Sequence, residues 1–95
     1  MSGTLEAAPR VLLCADDYGI SEGVSRGIAE LARHGRISAT SAIVTRPRWA
    51  QDGPGLAALK DTIAIGLHLN LTLGAPLGPM PHLGPGDRLP QVKDV

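Results

Sequence analysis

Three short apolar runs, set apart by helix-length stretches, constrain this 95-residue chain most strongly. Arg10–Ala15, with Val11-Leu12-Leu13-Cys14-Ala15, is continuously apolar, as expected of a strand buried on both faces in a parallel sheet. Ile37–Thr45 mixes small, polar and β-branched residues and predicts a second strand, closed by Pro47. Thr62–Thr72 predicts a third, with Ile63, Ile65, Leu67, Leu69 and Leu71 on one face and Gly66, His68, Asn70 and Thr72 on the other. Between the first two runs, Ser21 is placed to cap a helix whose apolar positions Val24, Ile28, Leu31 and Ala32 form one stripe, with Gly35 after Arg33-His34 as its stop. Between the second and third, Trp49–Lys60 reads as a weak helix that Gly53-Pro54-Gly55 interrupts, with Leu56–Lys60 as its better part. Right-handed crossovers then make all three strands parallel, which is an α/β fold.

The core of such a chain has to be thin. Hydrophobic residues make up 43% but aromatic ones only 2%, Tyr18 and Trp49 alone, so Ala, Val, Ile and Leu must fill it. At this length only about two-thirds of the unfolded surface can be buried. Nine Lys and Arg balance nine Asp and Glu, which argues against a nucleic-acid footprint or an electrostatic membrane module. The single Cys14 has no internal disulfide partner, and its place in the first predicted strand makes a buried structural thiol the expectation. No stretch reaches the roughly 20 apolar residues of a membrane span, and Met1–Pro9, read as a flexible tail, lacks a signal-peptide pattern. A cytoplasmic protein is expected. From Gly74 to Pro90, Gly and Pro fill nine of seventeen positions, so residues 74–95 are expected to form a Pro/Gly-rich loop over the strand ends or a tail.

Chemistry concentrates where the first run stops. Asp16 and Asp17 are adjacent, and two carboxylates about 4 Å apart repel by roughly 4 kcal/mol at an effective dielectric near 20. A cation relieves that repulsion, and His68 in the third run supplies a nitrogen ligand, so the combination points to a metal site at the carboxyl ends of parallel strands. Asp also ends strands and caps helices, and a strand His is often structural. Asn70 and Thr72 either support the site or satisfy nearby backbone. His34 reads as a solvated helix cap, and His82, in the Pro/Gly segment, lacks a rigid frame.

Ala15-Asp16-Asp17-Tyr18-Gly19-Ile20-Ser21, then Ser38-Ala39-Thr40-Ser41-Ala42, then Gly66-Leu67-His68-Leu69-Asn70-Leu71-Thr72 together resemble the YdjC-like carbohydrate deacetylases, from about Val11 to Leu89. That family includes enzymes acting on chito-oligosaccharides and others associated with hopanoid biosynthesis. The resemblance implies the first β/α units of a distorted TIM-type barrel and removal of an N-acetyl group from an amino sugar, oligosaccharide or glycolipid, with a divalent metal, Mg or Zn. It implies Asp16 as general base, with Asp17 and His68 as metal ligands. The residue types suit the reaction, because a bound metal lowers the pKa of water and polarises the acetyl carbonyl while a carboxylate takes the proton.

The resemblance also exposes a gap. The family's second metal-binding His lies well downstream of the first, and neither His34 nor His82 matches it, whereas catalytic metal sites usually have three protein ligands. The 95 residues are therefore expected to be the amino-terminal portion of one deacetylase domain: a truncation, a fragment, or a piece with a complementing carboxyl-terminal chain or a homo-oligomeric partner. Two alternatives stand beside this reading. One is an inactive remnant of the family. The other is a receiver-like Mg-binding signalling domain, which needs a phospho-accepting Asp at the end of its third strand, where this chain has His68 and Asn70.

Overall fold

The computed structural model describes residues 9–82, 87–91 and 93. Most of the amino-terminal tail (residues 1–8), and residues 83–86, 92, 94 and 95 of the Pro/Gly-rich segment, lie outside the described residues. The chain runs β1 (Cys14–Tyr18), α1 (Glu22–Arg33), β2 (Ala39–Ala42), α2 (Trp49–Ala57), β3 (Ala64–Leu67). The sheet order is β1-β2-β3, and both pairings are parallel. This is the α/β arrangement expected from the strand–helix alternation.

The helix α1 has the predicted ends. The Ser21 hydroxyl accepts from the Val24 N–H at 3.2 Å, satisfying one of the free donors of the first turn. At the other end His34 is the C-cap, and Gly35, at φ 68°, lets the Gly35 and Arg36 N–H groups turn back onto the Ala32 and Leu31 carbonyls. The buried stripe, however, is Ser25, Ile28, Ala29 and Ala32. Val24 and Leu31 are exposed, so the helix is rotated from the expected face. Ala29 and Ala32 allow a close approach to the sheet, and Ser25 is drawn inward by hydrogen bonds described below.

The larger departures are at the edges. β1 does not end before the two aspartates but begins at Cys14 and runs through them to Tyr18. Val11 and Leu12, expected to be buried on both faces, precede β1 and are 80% and 88% exposed. Cys14 is likewise exposed rather than buried. β2 and β3 are four residues each, shorter than expected, so His68, Asn70 and Thr72 follow the third strand instead of lying within it. α2 starts at Trp49, as the weak helix was expected to, but runs through Gly53-Pro54-Gly55 without interruption and ends at Ala57 instead of having its better part at Leu56–Lys60. Pro54 has no N–H to offer a preceding carbonyl, which disfavours a helix interior, but the contacts of Asp52 with Ser25 and Tyr18 and the burial of Leu56 outweigh that local preference.

The core lies between the helices and one face of the sheet. Tyr18, Ile28, Ala32, Ala42, Leu56, Leu59 and Ile63 are buried there, with Trp49 packed against them. Burying a Leu or Ile side chain contributes about 1.5–3 kcal/mol, so Leu56, Leu59 and Ile63 join the second crossover firmly to the sheet. After β3 no α-helix or β-strand occurs among the described residues. The segment nevertheless returns on itself: the Leu89 N–H donates to the Gly74 carbonyl at 2.7 Å, and Leu89 and Pro90 are buried.

Candidate functional site

Asp17, in β1, and His68, the residue after β3, come from opposite edges of the sheet and meet over the end of β2. Neighbouring strands lie about 4.8 Å apart, so the two backbones are separated by roughly twice that. Yet Asp17 Oδ1 and His68 Nδ1 are 2.8 Å apart. Two local features make this reach. The β1–β2 register shifts between Ala15 and Tyr18, a bulge that re-aims side chains, and Asp17 has φ 73°, in the left-handed region that Asp tolerates better than most residues. On the other side, the His68 N–H continues the ladder by donating to the Ala42 carbonyl at 2.9 Å, which anchors the residue one step past β3.

The Asp17–His68 contact is short but lacks hydrogen-bond geometry, and His68 Nδ1 is buried without a hydrogen-bond partner. Buried polar atoms left in this state are uncommon and call for an explanation. Two ligands of one octahedral divalent cation, each about 2.0–2.1 Å from it, lie about 2.9 Å apart. The observed spacing fits that arrangement. Both side chains are also partly solvent-accessible, at 36% for His68 and 41% for Asp17, so a cation can enter. Among the described residues no group of three His, Cys, Asp or Glu side chains comes together. Asp17 and His68 are thus a pair, with no third such side chain beside them among the described residues.

Asp16 points elsewhere. It accepts the Ser41 hydroxyl at 2.8 Å on Oδ1, and the Cys14 thiol approaches the same oxygen at 3.7 Å. Asp16 and Ser41 follow the register pair Ala15 and Thr40, which places both on the face opposite the buried Thr40. Crowding by neighbouring protein atoms, and then the Asp16 charge, pushes the Cys14 thiol above its ordinary pKa, so it is a poor nucleophile. Asn70 organises the loop after β3: its Nδ2 donates to Thr45 Oγ1 and to the Leu73 carbonyl, both at 2.7 Å, and its Oδ1 accepts from the Leu73 N–H at 2.9 Å. That ties the β3 loop to the β2 loop. His34 caps α1 with Nδ1 2.8 Å from the Glu30 carbonyl, and His82 is exposed.

Sequence reasoning missed a second polar group beneath the site. Asp52 on α2, 9% exposed, accepts from Ser25 Oγ at 2.8 Å and pairs with Arg48 at 3.0 Å. Burial alone would raise its pKa, but hydrogen bonds from Arg48 and Ser25 and the Arg48 charge more than offset this, so the carboxyl titrates below its usual value. The Tyr18 hydroxyl donates to the Asp52 carbonyl at 2.8 Å, and burial, followed by the Asp52 charge, raises the phenol's pKa. The four-residue spacing of Arg48 and Asp52 was visible in the sequence, whereas their meeting with Ser25 depended on how the helices pack.

A parallel α/β unit with polar groups converging at the carboxyl ends of its strands defines a broad class of enzyme scaffold. Residues 10–94 match the family model of the YdjC-like proteins, and the chain belongs to that family. It is 38% identical over 73 residues to a chitooligosaccharide deacetylase of Enterobacter sp. (strain 638), covering 77% of this chain and 29% of that protein. It is 40% identical over 81 residues to a chitooligosaccharide deacetylase of Klebsiella pneumoniae, covering 84% and 32%. It is also 37% identical over 68 residues to carbohydrate deacetylase 2 of Listeria innocua, covering 72% and 27%. A solved Enterococcus faecalis structure, named provisionally as a cellobiose-phosphate cleavage protein, superposes with a TM-score of 0.72 at 27% identity, over 86% of this chain and 34% of that one. The chain spans about three-tenths of the length of these curated relatives. Among the described residues no helix is long and apolar enough to cross a membrane.

Proposed function

We propose that this chain carries the amino-terminal part of the active site of a metal-dependent carbohydrate deacetylase that removes the acetyl group from an N-acetylated amino sugar. The observation that carries the reading is the 2.8 Å approach of Asp17 Oδ1 and His68 Nδ1 without hydrogen-bond geometry, the spacing of two ligands on one cation. Asp17 and His68 would hold Mg or Zn, which supplies Lewis acidity and an acidified water. Asp16 is the general base. Its carboxylate stands on the adjacent position, turned away from Asp17 by the bulge and oriented by Ser41, and so is free to accept a proton from water. The asparagine-tied loops beyond β2 and β3 form one wall of a sugar groove. A third protein ligand and the remaining walls lie beyond the described residues, so acetate release is expected from a chain of the relatives' full length and not from these 95 residues.

Two measurements test this. In the 95-residue chain, Asp17→Asn and His68→Gln should each abolish Mn2+ binding while Asp16→Asn retains it. In a protein extended to the length of the relatives, Asp16→Asn should reduce acetate release from an N-acetylated chito-oligosaccharide by about 100-fold or more, the usual scale of general-base catalysis. Equal Mn2+ binding by Asp17→Asn would reject the ligand assignment.

A further inference from the structure

The turn that follows β1 is held from below by residues with no part in the proposed chemistry. The Ile20 N–H donates to the Asp17 carbonyl at 3.1 Å, closing a β-turn with Tyr18 and Gly19 at its centre. Gly19 has φ 102°, the sign that a type II turn requires at this position. In the alternative type I turn the Tyr18–Gly19 peptide is flipped, and its N–H and C=O exchange directions. Here that peptide is clamped at both ends: the Tyr18 carbonyl accepts from the Ile43 N–H at 2.8 Å, and the Gly19 N–H donates to Ser25 Oγ at 2.9 Å. The Ser25 hydroxyl in turn donates to Asp52 Oδ2 at 2.8 Å, and the Asp52 backbone carbonyl accepts from the Tyr18 hydroxyl. Asp52 is thus tied to both sides of the turn, through Ser25 to Gly19 and directly to Tyr18.

The placement is costly for structure alone. Ser25 is 4% exposed in the middle of the buried face of α1, where an apolar residue would pack without needing partners. A carboxylate at 9% exposure loses hydration that pairing only partly restores, and such groups are often replaced by apolar residues without loss of stability. What the network specifies is the orientation of one peptide, one residue on from Asp17, which is held in a left-handed conformation.

We propose that Ser25 and Asp52 are positioning residues, whose hydrogen-bond chain to the Gly19 amide fixes the turn after β1 so that Asp17 reaches across the end of β2 to His68. The inference rests on the reading of Asp17 and His68 as cation ligands, and it adds how the first of them is aimed. Outer-shell groups that orient metal ligands typically change metal affinity by 10–100-fold when removed.

The test uses the 95-residue chain and Mn2+ alone, with binding read from loss of the free-ion paramagnetic resonance signal. Ser25→Ala should weaken Mn2+ binding by about 10–100-fold. It should also speed hydrogen exchange of the Gly19 amide and remove the through-space NMR contact between the Asp17 β-protons and the His68 ring. Ser25→Thr, which keeps the hydroxyl, should retain all three signatures. A purely structural role would lower the thermal midpoint but leave affinity and the Asp17–His68 contact unchanged in the folded chain, and that result would overturn the proposal. If Ser25→Ala is unfolded at the assay temperature, Asp52→Asn takes its place, and unchanged Mn2+ affinity there would equally overturn it. If Asp17→Asn binds Mn2+ as the parent chain does, the metal assignment fails separately, and the Asp17–His68 contact in Ser25→Ala then decides the positioning role.

Discussion

Asp17 combines a backbone conformation that disfavours most residues with a side chain that the proposed metal site requires, so substitutions there should separate stability from binding. Its φ of 73° lies in the left-handed region, which costs a residue with a Cβ about 1–2 kcal/mol. Glycine escapes that cost but loses about 0.5–1 kcal/mol more conformational entropy on folding. Asp17→Gly should therefore be more stable than Asp17→Ala by about 0.5–1 kcal/mol. For a domain of this size that difference corresponds to roughly 2–8 °C in thermal midpoint. Asp17→Asn should fall between them, since its short polar side chain tolerates the same region. None of the three should bind Mn2+ as the parent does. The assay is thermal unfolding of the three variants by circular dichroism, beside the Mn2+ titration. The Gly–Ala comparison removes the carboxylate from both chains, so loss of the His68 contact cancels. Equal midpoints for Asp17→Gly and Asp17→Ala would refute the reasoning, because they would mean that the left-handed conformation is not populated.

Three further outcomes follow from the packing and the titrating groups. Leu56 is 2% exposed, so Leu56→Ala should lower the urea-unfolding free energy by about 2–4 kcal/mol, and a change below 1 kcal/mol would show that α2 does not dock as described. The Asp52 carboxyl titrates below its usual value of 3.8 in the folded chain, so its contribution is fully present above that pH and is lost as pH falls through the depressed value. The urea midpoint of the parent should accordingly drop below about pH 4 more steeply than that of Asp52→Asn, and parallel acid limbs would contradict the assignment. Cys14 is exposed with a raised pKa, so in the folded chain it should react completely with a thiol reagent at pH 7.5 but more slowly than free cysteine, as followed by mass spectrometry.

The order of elements, the parallel sense and both ends of α1 were legible because each has a local cause: apolar runs, a Ser cap, a left-handed Gly. The proximity of Asp17 and His68 was legible too, since parallel strands bring their carboxyl ends to one edge. What the sequence hid was set by tertiary contact. α2 passes through Pro54 because Asp52 and Leu56 are held by partners on other elements, which no window around Gly53 reveals. Cys14 and Val11 looked buried because apolar strands in parallel sheets usually are, yet Val11 falls before β1 and Cys14 opens a strand that, among the described residues, lies at the sheet edge. Ser25 drew no notice in the sequence, and only the rotation of α1 gave it two bonds. The bulge at Asp16 and Asp17 has no sequence signature of its own.

The pairing of Asp17 with His68 has a consequence for the unfolded chain as well as for the folded one. The two residues enclose about fifty others, taking in α1, β2, α2 and β3. Whatever joins them closes a loop around both crossovers, and the chain-entropy estimate for a cross-link of that length is on the order of 4 kcal/mol. Under the proposed function, ligation at this point would therefore act as a reversible staple on the whole β1–β3 unit. Its measured affinity would contain the free energy of gathering those strands, and removing the ion with a chelator would loosen the sheet from both outer strands at once.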